Sequence, residues 1–321
     1  MPRLLPAALA LAAVASVAPA QSADRLNPVI AVQEKGQPVF GISHPMIVRR
    51  AMRPGGPGGP GAAPVATPAA APAPQAEIVL ADVAKETVGY RRADFLFTGA
   101  SSDTFLKYLE ELRAAGGSVR THPFSSKIGI WHEDSAGVQR AIVRQLNAGL
   151  VNLSLEEVES PDEVRAVIKA MRFASAGGTR PDTGLAAAAA YWGLPVAQYK
   201  AKADVWPTNP KGELFLSVII ESEAGIARAR EIAATPGVGQ VFIGYGTLGM
   251  VFKGDTAKRE QAAATILAAC KAANVPCGFP TNNPAEMERR YAEGWRVFIQ
   301  QRRDENGMGA IETGRKLGGR Q

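Results

Sequence analysis

From Ile78 onward, short apolar runs alternate with longer segments whose apolar residues recur at helical spacing, and that alternation restricts the chain to folds built on a mainly parallel sheet. "LFLSVII" (Leu214–Ile220) is the unbroken run that a strand covered on both faces needs, whereas Val138, Ile142, Val143 and Leu146 mark one face of a helix. Candidate strands are Pro38–Ile42, Asp94–Thr98, Ser118–His122, Leu150–Leu155, Leu214–Ile220, Gln240–Ile243, Pro276–Phe279 and Trp295–Gln300. Helical patterns fill the intervals at Ser102–Ala115, Ser135–Asn147, Pro161–Arg172, Ser222–Ala234, Thr256–Ala273 and Pro284–Ala292. Ser160 before Pro161 supplies a capping hydroxyl and a proline at the first helical position. Eight strands with helices between them predict an α/β fold, a (β/α)8 TIM barrel, with an open doubly wound sheet as the alternative. In a barrel the chemistry sits at the C-terminal ends of the strands, which makes strand-end residues the candidates.

The first residues concern compartment rather than fold. Arg3, an apolar run from Leu4 to Val17 and the small residues Ala18-Pro19-Ala20 predict a signal peptide over 1–20, and with it an exported, periplasmic or secreted protein. The run is too short to span a bilayer, so no membrane insertion is expected. Residues 21–321 are then one domain, carrying a disordered Pro/Gly/Ala-rich insertion at 52–75 and a basic C-terminal tail at 302–321. The formal charge of +6 comes from scattered Lys and Arg without aromatic platforms, and no nucleic-acid partner is expected. Cys270 and Cys277 are too few for a disulfide scaffold; two buried thiols are expected, with pairing left open. The segment Ala174–Lys211 is longer than an ordinary connection and predicts a lid or a subunit contact, to which Tyr191, Trp192 and Trp206 would be suited.

The stretches "VIIESEAGIARAREIAATPGVGQVFIGYGTLG" and "ILAACKAANVPCGFPTNNPAEMERRYAEGWRVF" resemble the HpcH/HpaI aldolase and citrate lyase family. Upstream support comes from "PVFGIS", "SVRTHP" and "LNAGLVNLSLEEVESPDEVRAVIKAMRF", so the likeness runs from about Asn27 to Phe298. The match is to a branch that carries the Pro/Gly-rich insertion and segments like Gly177–Asp182, Tyr191–Gly193 and Ala203–Pro210. The resemblance implies a barrel of the pyruvate/phosphoenolpyruvate-binding type and a carbon–carbon lyase acting on a 2-oxo acid or hydroxy-oxo acid. It also implies a divalent cation (Mg2+, Mn2+ or Co2+) that stabilises an enolate, and a homo-oligomer, trimer or hexamer, assembled through Pro284–Arg315.

Residue by residue, the resemblance places Glu221 on the family's first metal carboxylate. Thr247 stands where the second, an aspartate, is expected, within Gly244–Gly249, and a neutral hydroxyl is a weaker ligand for a hard dication. The amides of Gly246 and Thr247 are candidates for receiving a substrate carboxylate. Arg120 matches an arginine that contacts the substrate's oxo group, as a fixed guanidinium fork can. Ser101 and Ser102 fall where the family carries a Glu-His pair, and serine cannot do histidine's proton transfer. The residues themselves suggest replacements: His122, two beyond Arg120 on an extended chain, for the proton, and Glu157 for the lost metal ligand, ahead of Glu156, Asp103 and Asp182. His44 and His132 have weaker claims. A barrel that binds a small carboxylate without turning it over is the alternative function.

Overall fold

The computed structural model describes residues 25–44, 79–99 and 103–321. The leader expected at 1–20, the insertion expected at 52–75 and the pair Ser101 and Ser102 lie outside them.

Nine parallel strands are present among the described residues: β1 Val39–Ser43, β2 Phe95–Thr98, β3 Phe124–Ile130, β4 Asn152–Glu156, β5 Val205–Trp206, β6 Leu214–Ile220, β7 Gln240–Ile243, β8 Cys277–Thr281 and β9 Val297–Gln300. β1 pairs with both β2 and β9, and β4 pairs with β6, so eight strands close into a barrel. The two-residue β5 only extends β6 at its start. The open-sheet alternative is thereby excluded, and all C-terminal strand ends meet at one rim.

Alternation along the strands sorts side chains between two cores. Phe40, Ile42, Leu96, Leu153, Leu155, Leu216, Val218 and Ile220 point outward into the layer of helices. Val39, Phe95, Phe215, Ile219, Phe242, Val297 and Ile299 point into the barrel. Each fully buried side chain of this kind contributes roughly 1.5–3 kcal/mol relative to exposure. Helix Pro28–Gln33 closes the N-terminal end of the barrel: Val29 and Ile30 enter the inner core, Asn27 Nδ2 donates to Asn152 Oδ1 at 2.7 Å, and Gln33 meets Gln240. Asn152 and Gln240 are the first residues of their strands, so this end is plugged, and the opposite rim is the one where barrels of this kind carry their chemistry.

Most helices follow the sequence pattern. Ser135–Asn147 and Thr256–Ala273 match it end to end, and Ser160 Oγ accepts from the Glu163 amide at the start of Pro161–Met171. Ser222–Ala234 is split into Glu223–Ala227 and Ala229–Ala233.

Three expectations need correction. The third strand is not Ser118–His122: there the chain turns, with the His122 amide donating to the Ser118 carbonyl at 2.8 Å, and the strand is "FSSKIGI" after Pro123. Its inward residues are polar, which hides it from an apolar-run search. The segment Ala174–Lys211 is no lid. Trp192 Nε1 donates to the Gly149 carbonyl, Tyr199 OH to the Leu146 carbonyl and Arg180 to Asn147 Oδ1, all just before β4 and therefore at the plugged end. The basic C-terminal segment carries a helix, Glu305–Leu317, with Ala310 and Ile311 buried and Arg320 paired to Asp94. Cys270 and Cys277 are joined by a disulfide, their Cα atoms 5.8 Å apart. Among the described residues, no helix is long and apolar enough to cross a membrane.

Candidate active site at the C-terminal rim

Glu221 follows β6 directly and continues the inward series Ser217, Ile219, so its carboxylate turns over the barrel mouth. It is only 8 % exposed. Burial holds its carboxyl above the ordinary carboxylate range; the Glu156 charge pushes the same way, while the Thr247 hydroxyl, the Lys127 charge and the Glu157 amide pull back. The backbone beside it is fitted to it: a Cβ on Gly244 would lie 2.2 Å from Glu221 Oε2 and 2.3 Å from its Cβ. Gly244 is therefore glycine because a carboxylate occupies the space.

Residues 245–251 are a helix rather than a glycine loop, with Gly244 at its N-cap. Gly246 is exposed, and a Cβ there would meet open space. Thr247 turns its hydroxyl to Glu221. The helix is anchored from behind, where Tyr245 is hydrogen-bonded to Glu260, lies under the Arg259 guanidinium at 4.1 Å and packs on Phe279 at 4.6 Å between ring centroids. Arg290, 2 % exposed, stacks on Phe279 at 3.8 Å and pairs with Glu260 at 2.7 Å.

Two residues complete the rim. Lys127 is the inward residue two beyond Ser125, whose hydroxyl meets that of Ser154 across the barrel wall at 2.9 Å. Glu156, two beyond Ser154, ends β4 on the same inward side, and Lys127 Nζ lies 2.7 Å from its Oε1. The register between β3 and β4 shifts immediately after Lys127, between it and Gly129, and Gly129 takes a φ of 99°. Such a bulge re-aims side chains and frees backbone groups. Here Gln145 Nε2 donates to the Lys127 carbonyl at 2.9 Å and so fixes the lysine's backbone.

The sequence-predicted residues fall as follows. Glu221 and Thr247 are together, and Gly246 is beside them. Glu157 is adjacent in a different sense: its backbone takes a left-handed φ of 47°, its amide serves Glu221, and its carboxylate joins His132 and Glu159, with one ligand atom from each within 4.8 Å of the others. Burial, and then the Glu221 charge, raises the Glu157 carboxyl. Arg120 and His122 are not at this rim. Both precede β3, at the end where helix Pro28–Gln33 sits, and β3 spans seven residues before its rim, a strand length of roughly 20 Å. His122 is buried beside Thr121, its Nδ1 2.9 Å from Thr121 Oγ1, with burial lowering its pKa. His44 is a core histidine, its Nε2 2.9 Å from both Thr87 Oγ1 and Tyr108 OH, pushed down to about 3 by burial and the Arg303 charge. Asp103 pairs with Arg144, and Asp182 with Lys200 and Ser175.

At the barrel mouth itself the carboxylate pair expected to hold a hard dication is incomplete. One member of the expected carboxylate pair is replaced by Thr247, a neutral hydroxyl, and the other inward carboxylate, Glu156, already holds an ammonium. The chemistry proposed below therefore has no metal step.

A family model described as HpcH/HpaI aldolase/citrate lyase matches residues 126–299. A hydroxypyruvate/pyruvate aldolase from Delftia acidovorans is 34% identical over 163 residues, covering 49% of this chain and 56% of the relative. A second, from Paraburkholderia phytofirmans, is 28% identical over 161 residues, covering 49% and 60%. The chain thus spans little more than half the length of these curated relatives. Among solved structures, an HpcH/HpaI aldolase/citrate lyase family protein from Burkholderia cenocepacia superposes with a TM-score of 0.61 at 20% identity, covering 88% of this chain and 93% of that one. Macrophomate synthase gives 0.59 at 16%, covering 95% and 93%. At those identities the likeness shows the shared barrel. The family match covers Lys127, Glu156, Glu221 and Thr247, and the chain belongs to the HpcH/HpaI aldolase/citrate lyase family.

Proposed function

We propose that this chain is a carbon–carbon lyase of the aldolase kind, cleaving a 4-hydroxy-2-oxo acid, or forming one from a 2-oxo acid and an aldehyde, at the rim built by Glu221, Glu156 and Lys127. The observation that carries this reading is a buried carboxyl, raised by its surroundings, set at a strand end beside a lysine–carboxylate pair. In cleavage, the C4 hydroxyl proton passes to a rim carboxylate and the C3–C4 electron pair moves into C2=C3 and onto the C2 oxygen. The aldehyde leaves, and C3 of the enolate takes a proton from the Glu221 carboxyl. A carboxyl raised above the ordinary range suits that proton delivery near neutral pH. The products are an aldehyde and a 2-oxo acid, so atoms and charge balance.

Export and assembly as a homo-oligomer belong to the same proposal and rest on the leader at 1–20 and on the family resemblance. The direct test is release of pyruvate from a panel of 4-hydroxy-2-oxo acids, coupled to its enzymatic reduction. Turnover that disappears in Glu221→Gln supports the lyase. Ligand-dependent thermal stabilisation without turnover supports instead a carboxylate-binding barrel, a reading favoured by the engagement of Glu221 with Thr247 and the Glu157 amide.

A further inference from the structure

We infer that the Lys127 ammonium is the resident cation of this site, taking the place of a bound dication: it meets the C2 oxygen of a 2-oxo acid and holds the enolate charge, so the site works without added metal. This deepens the lyase reading and rests on it for the substrate class.

Three independent features converge on Lys127. The first is direction. Lys127 pairs with Ser154 in register and shares the inward face with Ser125, which places its side chain over the mouth with Glu156 and Glu221. The second is support. The register shift that follows it and the Gln145 Nε2 bond to its carbonyl hold the lysine where an ordinary strand would carry its side chain onward without a fixed stop. The third is charge. Nζ is 2.7 Å from Glu156 and close enough to Glu221 for its charge to favour that carboxylate, while the position facing Glu221 across β7 is the neutral Thr247. Two carboxylates around a vacant centre attract a dication; here an ammonium is paired with one of them and acts on the other through its charge, so the site already holds a positive charge.

The enolate oxygen is where negative charge develops, and a donor aimed there before the reaction stabilises it without reorganisation. Lysine Nζ carries three donors. One remains on Glu156 while another turns to the oxo oxygen, so substrate entry does not require the ion pair to break. Lys127 therefore acts on the substrate as a hydrogen-bonding cation. Gln145 is a positioning residue, acting through the Lys127 backbone.

Calorimetry with Mn2+ and with pyruvate as separate probes tests the assignment on the purified chain. The expected result is no Glu221-dependent Mn2+ binding up to about 1 mM in the parent protein, such binding appearing in the Lys127→Met, Thr247→Asp double variant once the ammonium is gone and an aspartate is supplied. Pyruvate affinity should fall about tenfold or more in Lys127→Met and recover largely in Lys127→Arg, a loss of one charge-assisted hydrogen bond. Unchanged circular dichroism and thermal midpoint in the single variants confirm that each still folds. Submillimolar Mn2+ binding to the parent that Glu221→Gln abolishes would overturn the inference, as would pyruvate affinity indifferent to Lys127→Met. If the parent binds no pyruvate at all, the oxo-acid substrate class fails, and the Mn2+ comparison still decides whether Lys127 is the site's cation.

Discussion

Glu221 lies directly against the backbone of Gly244, so closely that a methyl group on that residue would sit 2.2 Å from Oε2. The contact links the ends of β6 and β7 and makes the glycine a condition for the carboxylate's position. Gly244→Ala should destabilise the fold by about 1–3 kcal/mol, the usual cost of overpacking, and abolish lyase turnover by displacing Glu221. Gly246→Ala, which meets open space in a helical turn, should be neutral or stabilising by up to about 1 kcal/mol. Chemical denaturation of both variants checks the pair.

The raised carboxyl of Glu221 has a signed consequence for stability. A folded-state pKa above the unfolded value of about 4.3 means that the folded protein holds this proton more tightly than the unfolded chain. The resulting stability is fully present below that value and is lost as pH rises through the folded pKa. Glu221→Gln should therefore be more stable than the parent near neutral pH, by about 1 kcal/mol, with a flatter pH dependence and no turnover. Thermal midpoints measured from pH 4 upward give the comparison.

Glu260 behaves in the opposite sense. Its hydrogen bonds to Arg290 hold its carboxyl down to about 2, against an unfolded value of about 4.3. That stabilisation is present above the unfolded value and is lost as pH falls toward about 2. Glu260→Gln should flatten acid unfolding in that window and cost about 2 kcal/mol at neutral pH, because a charged hydrogen bond to buried Arg290 is weakened. Since Arg290 and Tyr245 brace the helix carrying Thr247, turnover should fall as well.

The disulfide ties the end of helix Thr256–Ala273 to the start of β8 across a separation of seven residues. So short a loop gives a modest entropic contribution, about 2 kcal/mol. Reduction, or Cys270→Ala with Cys277→Ala, should lower the thermal midpoint without changing metal or pyruvate binding.

The barrel was legible because its outward strand faces and helix faces are apolar at the right periods, as in Leu214–Ile220 and Val138–Leu146. The rim was legible only in part. Glu221 could be found because it ends an unmistakable strand, and Thr247 because the segment around it has a recognisable pattern. Lys127 was missed because β3 turns polar residues inward, Ser125 and Lys127, so that "SVRTHP" looked more like the strand than "FSSKIGI" did. That displacement carried Arg120 and His122 to the wrong end of the barrel. Glu156 was ranked below Glu157 because sequence does not show that Glu157 leaves the strand in a left-handed conformation. Strict alternation from Ser154 would have found Glu156.

The measurement closest to the central claim is exchange of the C3 hydrogens of pyruvate in D2O, followed by NMR with a chelator present. It needs neither the aldehyde partner nor a metal, and it reads enolate formation at this rim alone. Exchange above the buffer rate is expected in the parent protein, lost in both Glu221→Gln and Lys127→Met. Exchange no faster than buffer, or exchange that persists in Lys127→Met, would contradict that claim.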